Sequence, residues 1–294
     1  MSGLGVVSLI LVPFTGILVR YRAIYHPTED ANETPTFWGI AKKVYQKQGL
    51  NGLGSGLGPT LLSVFLARLW PYPLPPKLYI SPSPATINYS LISALMGTLY
   101  YVFVLVLVYR SIAATRQLDL LKPKESLHYL LSDYERKKPW AIYQIPGLLP
   151  ALIINVFINI QVIRPLHYLI FPINLPEDIS ITETCLRTTC ILLTAALGAA
   201  VLTPLEVIAT RLALQRSYGP GNSEETRDVP LEGPGDAKAS DSLAPDNVII
   251  GLRLRDEDKP YSNLLDCAKM IVQEEGWRAL YRGWFITFLG VLYV

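Results

Sequence analysis

The sequence predicts an all-α membrane protein, and three observations predict it. Of the 294 residues half are hydrophobic, only 17% are charged, and the mean hydropathy is +0.30; soluble domains carry about 25% charged residues. Several charge-free runs reach the roughly 20 apolar residues that a helix needs to cross a bilayer core. Charge is also segregated. If those runs are spans, all of the 26 Lys and Arg residues except Arg68, Lys77, Arg164 and Arg187 lie on one side, which is the asymmetry that oriented insertion favours. The 24 acidic residues divide the same way, all but Glu177, Asp178 and Glu183, so part of the effect is that the loops on that side are longer. The alternation of short and long loops remains.

The spans follow in order. Met1 to Val19 is closed by Arg20; with no basic residue ahead of it and no small-residue cleavage pattern, it reads as a span and not as a signal peptide. Asn51 to Ala67 is the second and continues past Arg68 to Pro71, Pro73, Pro75 and Pro76, where helix cannot persist. Ile87 to Tyr109 is the longest charge-free run. Gly147 to Ile163 is the fourth, polar only at Asn155, Asn159 and Gln161, and Thr188 to Leu205 is the fifth. A sixth begins near Gly283 and meets Val294 too soon to span, as a truncated helix.

Several function classes fall away on composition. A net charge of +2 gives none of the basic excess of nucleic-acid binders. Cys185, Cys190 and Cys267 form neither an even disulfide framework nor a CxxC pair, and His26, His128 and His167 are scattered, so no metal site is expected. No Ser/His/Asp, Cys/His or paired-carboxylate set shares one predicted face. Neither an enzyme nor a resident cofactor is expected. The four glycines Gly52, Gly54, Gly56 and Gly58 lack the strand and Lys-Ser/Thr of a phosphate loop. Residues 217–258, rich in Gly, Pro, Ser, Asp and Glu, bury too little apolar area to offset their chain entropy and are expected to be a disordered insert. The basic run Arg136, Lys137 and Lys138 suits lipid headgroups.

Internal similarity organises the chain further. Thr203-Pro204-Leu205-Glu206-Val207-Ile208-Ala209-Thr210-Arg211 is matched by Tyr109-Arg110-Ser111-Ile112-Ala113-Ala114-Thr115-Arg116 and, more faintly, by Val12-Pro13-Phe14-Thr15-Gly16-Ile17-Leu18-Val19-Arg20. A second block follows each: Phe37-Trp38-Gly39 through Gly49 to Leu53, then Trp140 to Gln144, then Leu264-Leu265-Asp266 through Glu275-Gly276-Trp277 to Tyr281-Arg282-Gly283. Three copies of helix, amphipathic surface helix, helix result. Their bounds are 1–75, 76–175 and 176–294, the second copy degenerate.

On these residues the chain resembles the mitochondrial carrier family, whose signature is Pro-x-Asp/Glu-x-x-Lys/Arg-x-Lys/Arg followed by Glu-Gly and Tyr-Arg-Gly-like blocks. Pro204, Glu206 and Arg211 with Glu275-Gly276-Trp277 and Tyr281-Arg282-Gly283 carry the match best; Pro13, Arg20 and Arg116 carry its weaker copies. The resemblance implies a six-helix bundle with pseudo-threefold repeats about the membrane normal, a central cavity, and a multi-pass place in a mitochondrial membrane, inner or outer undecided. Kinking prolines are expected at Pro13 and Pro204, whereas Tyr109 stands at the middle one.

Here the sequence leaves the family's pattern. Its gate pairs would need acids at Thr15, Ser111 and Glu206 and bases at Leu18, Ala114 and Ala209; with one charge of the six present, no such pair is expected. Glu206 is then a solvated carboxylate or a proton or cation contact. The opposite gate, around Pro76 and Tyr79 and around Pro165 and Tyr168, has no acid-base pattern either. The family's substrate-contact positions map to Ser63, Val64, Leu152, Ile153, Gly290 and Val291, none of which is the cation that a buried anion requires. Arg68, Asn155, Asn159 and Arg164 are the polar residues left for a cavity, and Asn155 and Asn159 share a helix face; inter-helix hydrogen bonding is the alternative use of those asparagines. Two functions are therefore expected to compete. One is transmembrane transport of a small, weakly charged or apolar solute. The other is a non-transporting adaptor or insertion platform of the outer membrane, with membrane-protein partners. Membrane lipids are partners in both.

Overall fold

The computed structural model describes residues 3–27, 36–53, 84–114, 123–170, 180–217, 248–249, 252–253 and 260–292. The second expected span beyond Leu53, the proline-rich turn, and with them Ser63, Val64, Arg68 and Arg116, lie outside the described residues, as does most of the expected insert.

In chain order, α1 is Gly3–Ala23 and runs through Pro13. Helix α2, Phe37–Leu53, turns at Gly49, whose φ of 62° is left-handed. α3 is Pro84–Ala113, α4 is Pro123–Leu130 and α5 is Asp133–Lys137. A 3-10 turn over Pro139–Gln144 leads into α6, Leu148–Ile158. That span continues through a π-helical turn, Asn159–Ile163, into α7, Arg164–Ile170. α8 is Ile181–Leu214 and passes through Pro204. After a two-residue antiparallel pair, β1 Val248–Ile249 with β2 Leu252–Arg253, come α9, Leu264–Glu275, a 3-10 turn Trp277–Tyr281, and α10, Trp284–Leu292. The β-branched Val-Ile-Ile run before Gly251 accounts for the strand pair inside the expected insert.

Local chemistry sets the element ends. Pro84, Pro123 and Pro139 each open an element, where the missing N–H costs nothing. Ser132 caps α5 in a reciprocal box with Glu135, and the Asn263 side chain accepts from Asp266 N at 2.8 Å to cap α9.

Among the described residues three helices are long and apolar enough to cross a membrane: Leu91–Ala113, Leu148–Ile170 and Ile181–Leu214. At ~1.5 Å per residue α8 is about 50 Å long, more than a ~30 Å hydrocarbon core, so its ends stand beyond it. One face of α8 exposes Leu193, Leu197 and Val201 at four-residue spacing while Ala195, Ala199 and Leu202 are buried. In water that stripe would be an unstable surface; against acyl chains it is solvated. The protein is thus an all-α membrane chain.

Helices α1, α3 and α8 each contact the other two. Around them lie Val19 of α1 with Val104, Val108 and Ile112 of α3, and a larger apolar cluster joining α3, α6, α8 and α9 through Val106, Leu148, Leu212 and Ile271. The deepest packing therefore sits toward the C-terminal ends of these helices, beside the surface segments.

Candidate functional site

Toward the ends of α1 and α8, a polar cluster draws on α1, α3, α8 and α10. Arg22, one turn past Leu18 on α1, forms an ion pair with Glu206 of α8. Arg22 Nη2 also donates to Thr287 Oγ1 of α10 at 2.8 Å, and the Thr287 hydroxyl donates to Glu206 Oε2 at 2.6 Å. Tyr109 of α3 lies beside Arg22 and Glu206 and within hydrogen-bonding reach of Thr210, whose hydroxyl donates to Glu206 O at 2.7 Å. Glu206 is thus not the lone solvated carboxylate expected: it pairs with Arg22, which lies outside the six signature positions. Long arginine side chains reach a full turn, so the pair forms from a position that matching acid and base one to one does not examine. The base positions are otherwise used: Leu18 packs against Gly283, and Ala209 is buried in the apolar cluster. Of the other acid positions, Thr15 is exposed and Ser111 bonds Val108 O of its own helix at 2.9 Å.

Two arginines join neighbouring repeats by one plan. Arg211 of α8 pairs with Glu275, the last residue of α9, and donates to Arg22 O at 3.2 Å and Ile24 O at 3.0 Å, carbonyls at the end of α1. Arg282 shares the Glu275 carboxylate at 2.8 Å and also reaches Ile24 O. Burial holds the Arg282 guanidinium below its ordinary value, opposed by the Glu275 charge. In the middle repeat Arg110 of α3 does the same work. It holds both oxygens of Glu135, at 2.6 and 2.9 Å, and donates to Leu130 O, to Ala213 O at 3.1 Å and to Gln215 O at 2.7 Å, capping the end of α8. All five guanidinium donors are used, which a buried arginine requires. Arg20 in the first repeat is buried and donates to Gly52 O at 2.9 Å.

Arg22, Arg110, Glu135 and Thr287 were not among the expected site residues. Glu135 is the one with a legible signal, the Ser132-x-x-Glu135 capping box; only its second use, against Arg110, is tertiary. Arg22 and Thr287 carry no local signal.

α6 and α10 start at glycines. Ile145 (φ −55°, ψ 119°) and Arg282 (φ −61°, ψ 119°) each close a 3-10 turn in the same conformation. Gly147 and Gly283, both left-handed at φ 82° and 78°, then open α6 and α10. Pro146 is one extra residue in the middle repeat. The structural counterpart of Gly283 is accordingly Gly147. The same count that leads from Gly283 to Gly290 and Val291 leads from Gly147 to Ile154 and Asn155, two residues past Leu152 and Ile153.

Among the expected contact positions, Leu152 and Ile153 are partly exposed, and Gly290 is exposed with open space at its Cα. Val291 is 2% exposed and packs with Ile163, Ala195 and Leu202, an approach that Gly198 permits. Asn155 and Asn159 are half-buried, and neither side chain makes an inter-helix hydrogen bond among the described residues. Asn159 opens the π turn, a feature frequent at functional sites. Arg164 and His167 lie at the far end of this span; the guanidinium Nε and Nη1 and the imidazole Nε2 are buried without a partner.

Trp38, Trp140, Trp277 and Trp284 are all exposed; Trp277 opens one 3-10 turn and Trp140 is the second residue of the other. Tryptophan favours the membrane–water boundary. These residues place the surface segments at one such boundary, with Arg278 over the Trp277 ring at 5.8 Å and Lys138 over the Tyr134 ring at 5.3 Å.

Residues 249–294 match the family model described as mitochondrial carrier protein. No curated protein matches the chain.

Proposed function

We propose, from the premise that the chain is a divergent member of the mitochondrial carrier family, that it is a multi-pass protein of a mitochondrial membrane moving a small, weakly charged or apolar solute through a pseudo-threefold six-helix bundle. The observation that carries this reading is the Arg22–Glu206–Thr287 cluster with Tyr109 beside it. It joins all three repeats where the odd helices end. Alternating access about such a repeat axis needs a contact that holds one side and can be released, and a single ion pair with Glu206 still 30% exposed is a weaker latch than three buried ones. No cation is offered at Leu152, Ile153, Gly290 or Val291, so a neutral solute fits better than an anion. In the register that starts at Gly147, Asn155 stands level with Val291 and supplies a neutral hydrogen-bonding group, with Asn159 one turn on.

A second reading has its own support. Val291 is packed into an apolar cluster with Ile163, Ala195 and Leu202, which fills the level where a carrier would hold its solute. A non-transporting adaptor or insertion platform of the outer membrane, with membrane-protein partners, is consistent with that closure.

Uptake by liposomes containing the purified full chain separates the two. A panel of nucleotides, amino acids, carboxylates and cofactors should yield at least one substrate. Paired substitution of Asn155 and Asn159 by Ala should then reduce uptake of it about tenfold or more, the effect of ~1.4 kcal/mol. Silence across the panel, together with cleavage by protease added to intact mitochondria, would sink the transport reading and favour the adaptor.

A further inference from the structure

The fourth span ends in a guanidinium and an imidazole with buried nitrogens that have no hydrogen-bond partner among the described residues. Counting ~1.5 Å per residue from Leu148, Arg164 lies about 24 Å and His167 about 29 Å along the span, close to the far boundary of a ~30 Å hydrocarbon core. The two are three residues apart and share a helix face. Arg164 Nε and Nη1 and His167 Nε2 are buried with no hydrogen-bond partner. The carboxylate described at this end, Glu183, is already bound by Arg187 at 2.6 Å, and Arg187 itself caps Ile170 O at 3.2 Å. An unpartnered buried guanidinium N–H is costly, and in native proteins such a group marks an ion or water that belongs there.

We propose that Arg164 and His167 form an oxyanion site for a phosphate group at the membrane boundary opposite the surface helices. The chemistry fits. The chain's unpartnered Arg164 Nε and Nη1 each offer an N–H to an oxyanion, and an imidazole N–H one turn along supplies a third donor. The depth fits as well, since a long arginine stem can lie along apolar surface while its head meets the headgroup layer. Lipid phosphodiester and free phosphate present the same oxygens, and the experiment tells them apart. The site stands whether or not the bundle transports.

The test uses the full chain, purified in an uncharged sugar detergent and stripped of lipid, with thermal unfolding as readout. One arm titrates inorganic phosphate against chloride at equal ionic strength. The other adds phosphatidylcholine or a diacylglycerol of identical acyl chains, which lacks the phosphate. Expected is a saturable rise in Tm with phosphate, with phosphatidylcholine, or with both, and none with chloride or diacylglycerol. Arg164→Gln should shift half-saturation about tenfold or more upward, and His167→Gln should do so to a lesser degree. A response to phosphate alone identifies a soluble oxyanion site; a response to phosphatidylcholine alone identifies a headgroup site. Overturning results are a wild-type protein indifferent to both phosphates, diacylglycerol matching phosphatidylcholine, or an Arg164→Gln response equal to wild type. Should Arg164→Gln not fold, the wild-type lipid comparison and His167→Gln still decide.

Discussion

At the scale of single residues the protein is governed by a few buried arginines, and their energetics differ. Arg110 and Glu135 are almost wholly enclosed, so removing either partner leaves an uncompensated charge. Glu135→Gln should cost about 3–5 kcal/mol, read as a lowered unfolding midpoint in detergent. Arg22–Glu206 is a different case because Glu206 keeps a third of its exposure. Glu206→Gln should cost only about 1–3 kcal/mol, and its stability should depend less on salt than that of wild type. If Glu206→Gln proves as damaging as Glu135→Gln, Glu206 is a structural anchor and not a releasable latch. Much of this was hidden in the sequence. Glu206, Arg211 and Glu275 are legible as motif positions, but a motif register pairs each acid with a fixed base, and Leu18 in that place reads as a lost interaction. The partner instead comes from Arg22, and only chain packing puts it there.

Among elements, the informative positions are glycines at element junctions. Gly147 (φ 82°, ψ −12°), which opens α6, and Gly276 (φ 84°, ψ 162°), which ends α9, both have positive φ, where a side chain is strained. They differ in surroundings. A Cβ on Gly276 meets nothing within 4 Å, whereas one on Gly147 would lie 2.4 Å from Leu264 N, at the start of α9. Gly147→Ala should therefore destabilise clearly more than Gly276→Ala, compared by thermal unfolding of the two variants. Equal losses would mean that α6 and α9 do not approach this closely. Gly283 poses a milder version, because the obstacle there is the Leu18 side chain. The sequence showed a glycine at each place but could not count the extra Pro146, which shifts the middle repeat and brings Asn155, not Leu152 or Ile153, level with Gly290 and Val291.

The whole molecule orders charge and aromatic residues across the membrane. In the proposed multi-pass arrangement, surface segments with Trp140 and Trp277 lie at one boundary, and the start of α8, with Cys185, at the other. Cys185 is exposed, Cys190 is half-buried on the same helix, and Cys267 is buried. In sealed liposomes holding the protein in one orientation, a membrane-impermeant maleimide should label Cys185 from one side, and quenchers confined to the opposite headgroup layer should reach the exposed tryptophans. Cys267 should react only after unfolding. Labelling of Cys185 from the same side as tryptophan quenching would contradict the placement of α8 across the bilayer.

By itself the sequence determined the class of this protein and the long apolar helices among its described residues. Those rest on hydropathy, on prolines and glycines at element ends, and on short motifs, all of which act within a few residues. Tertiary structure decided which charges meet. Arg22 with Glu206, Arg110 with Glu135, and the unpartnered Arg164 and His167 depend on how helices distant in sequence are turned toward one another. In a low-dielectric interior that orientation determines whether a charge is neutralised, and no local pattern records it.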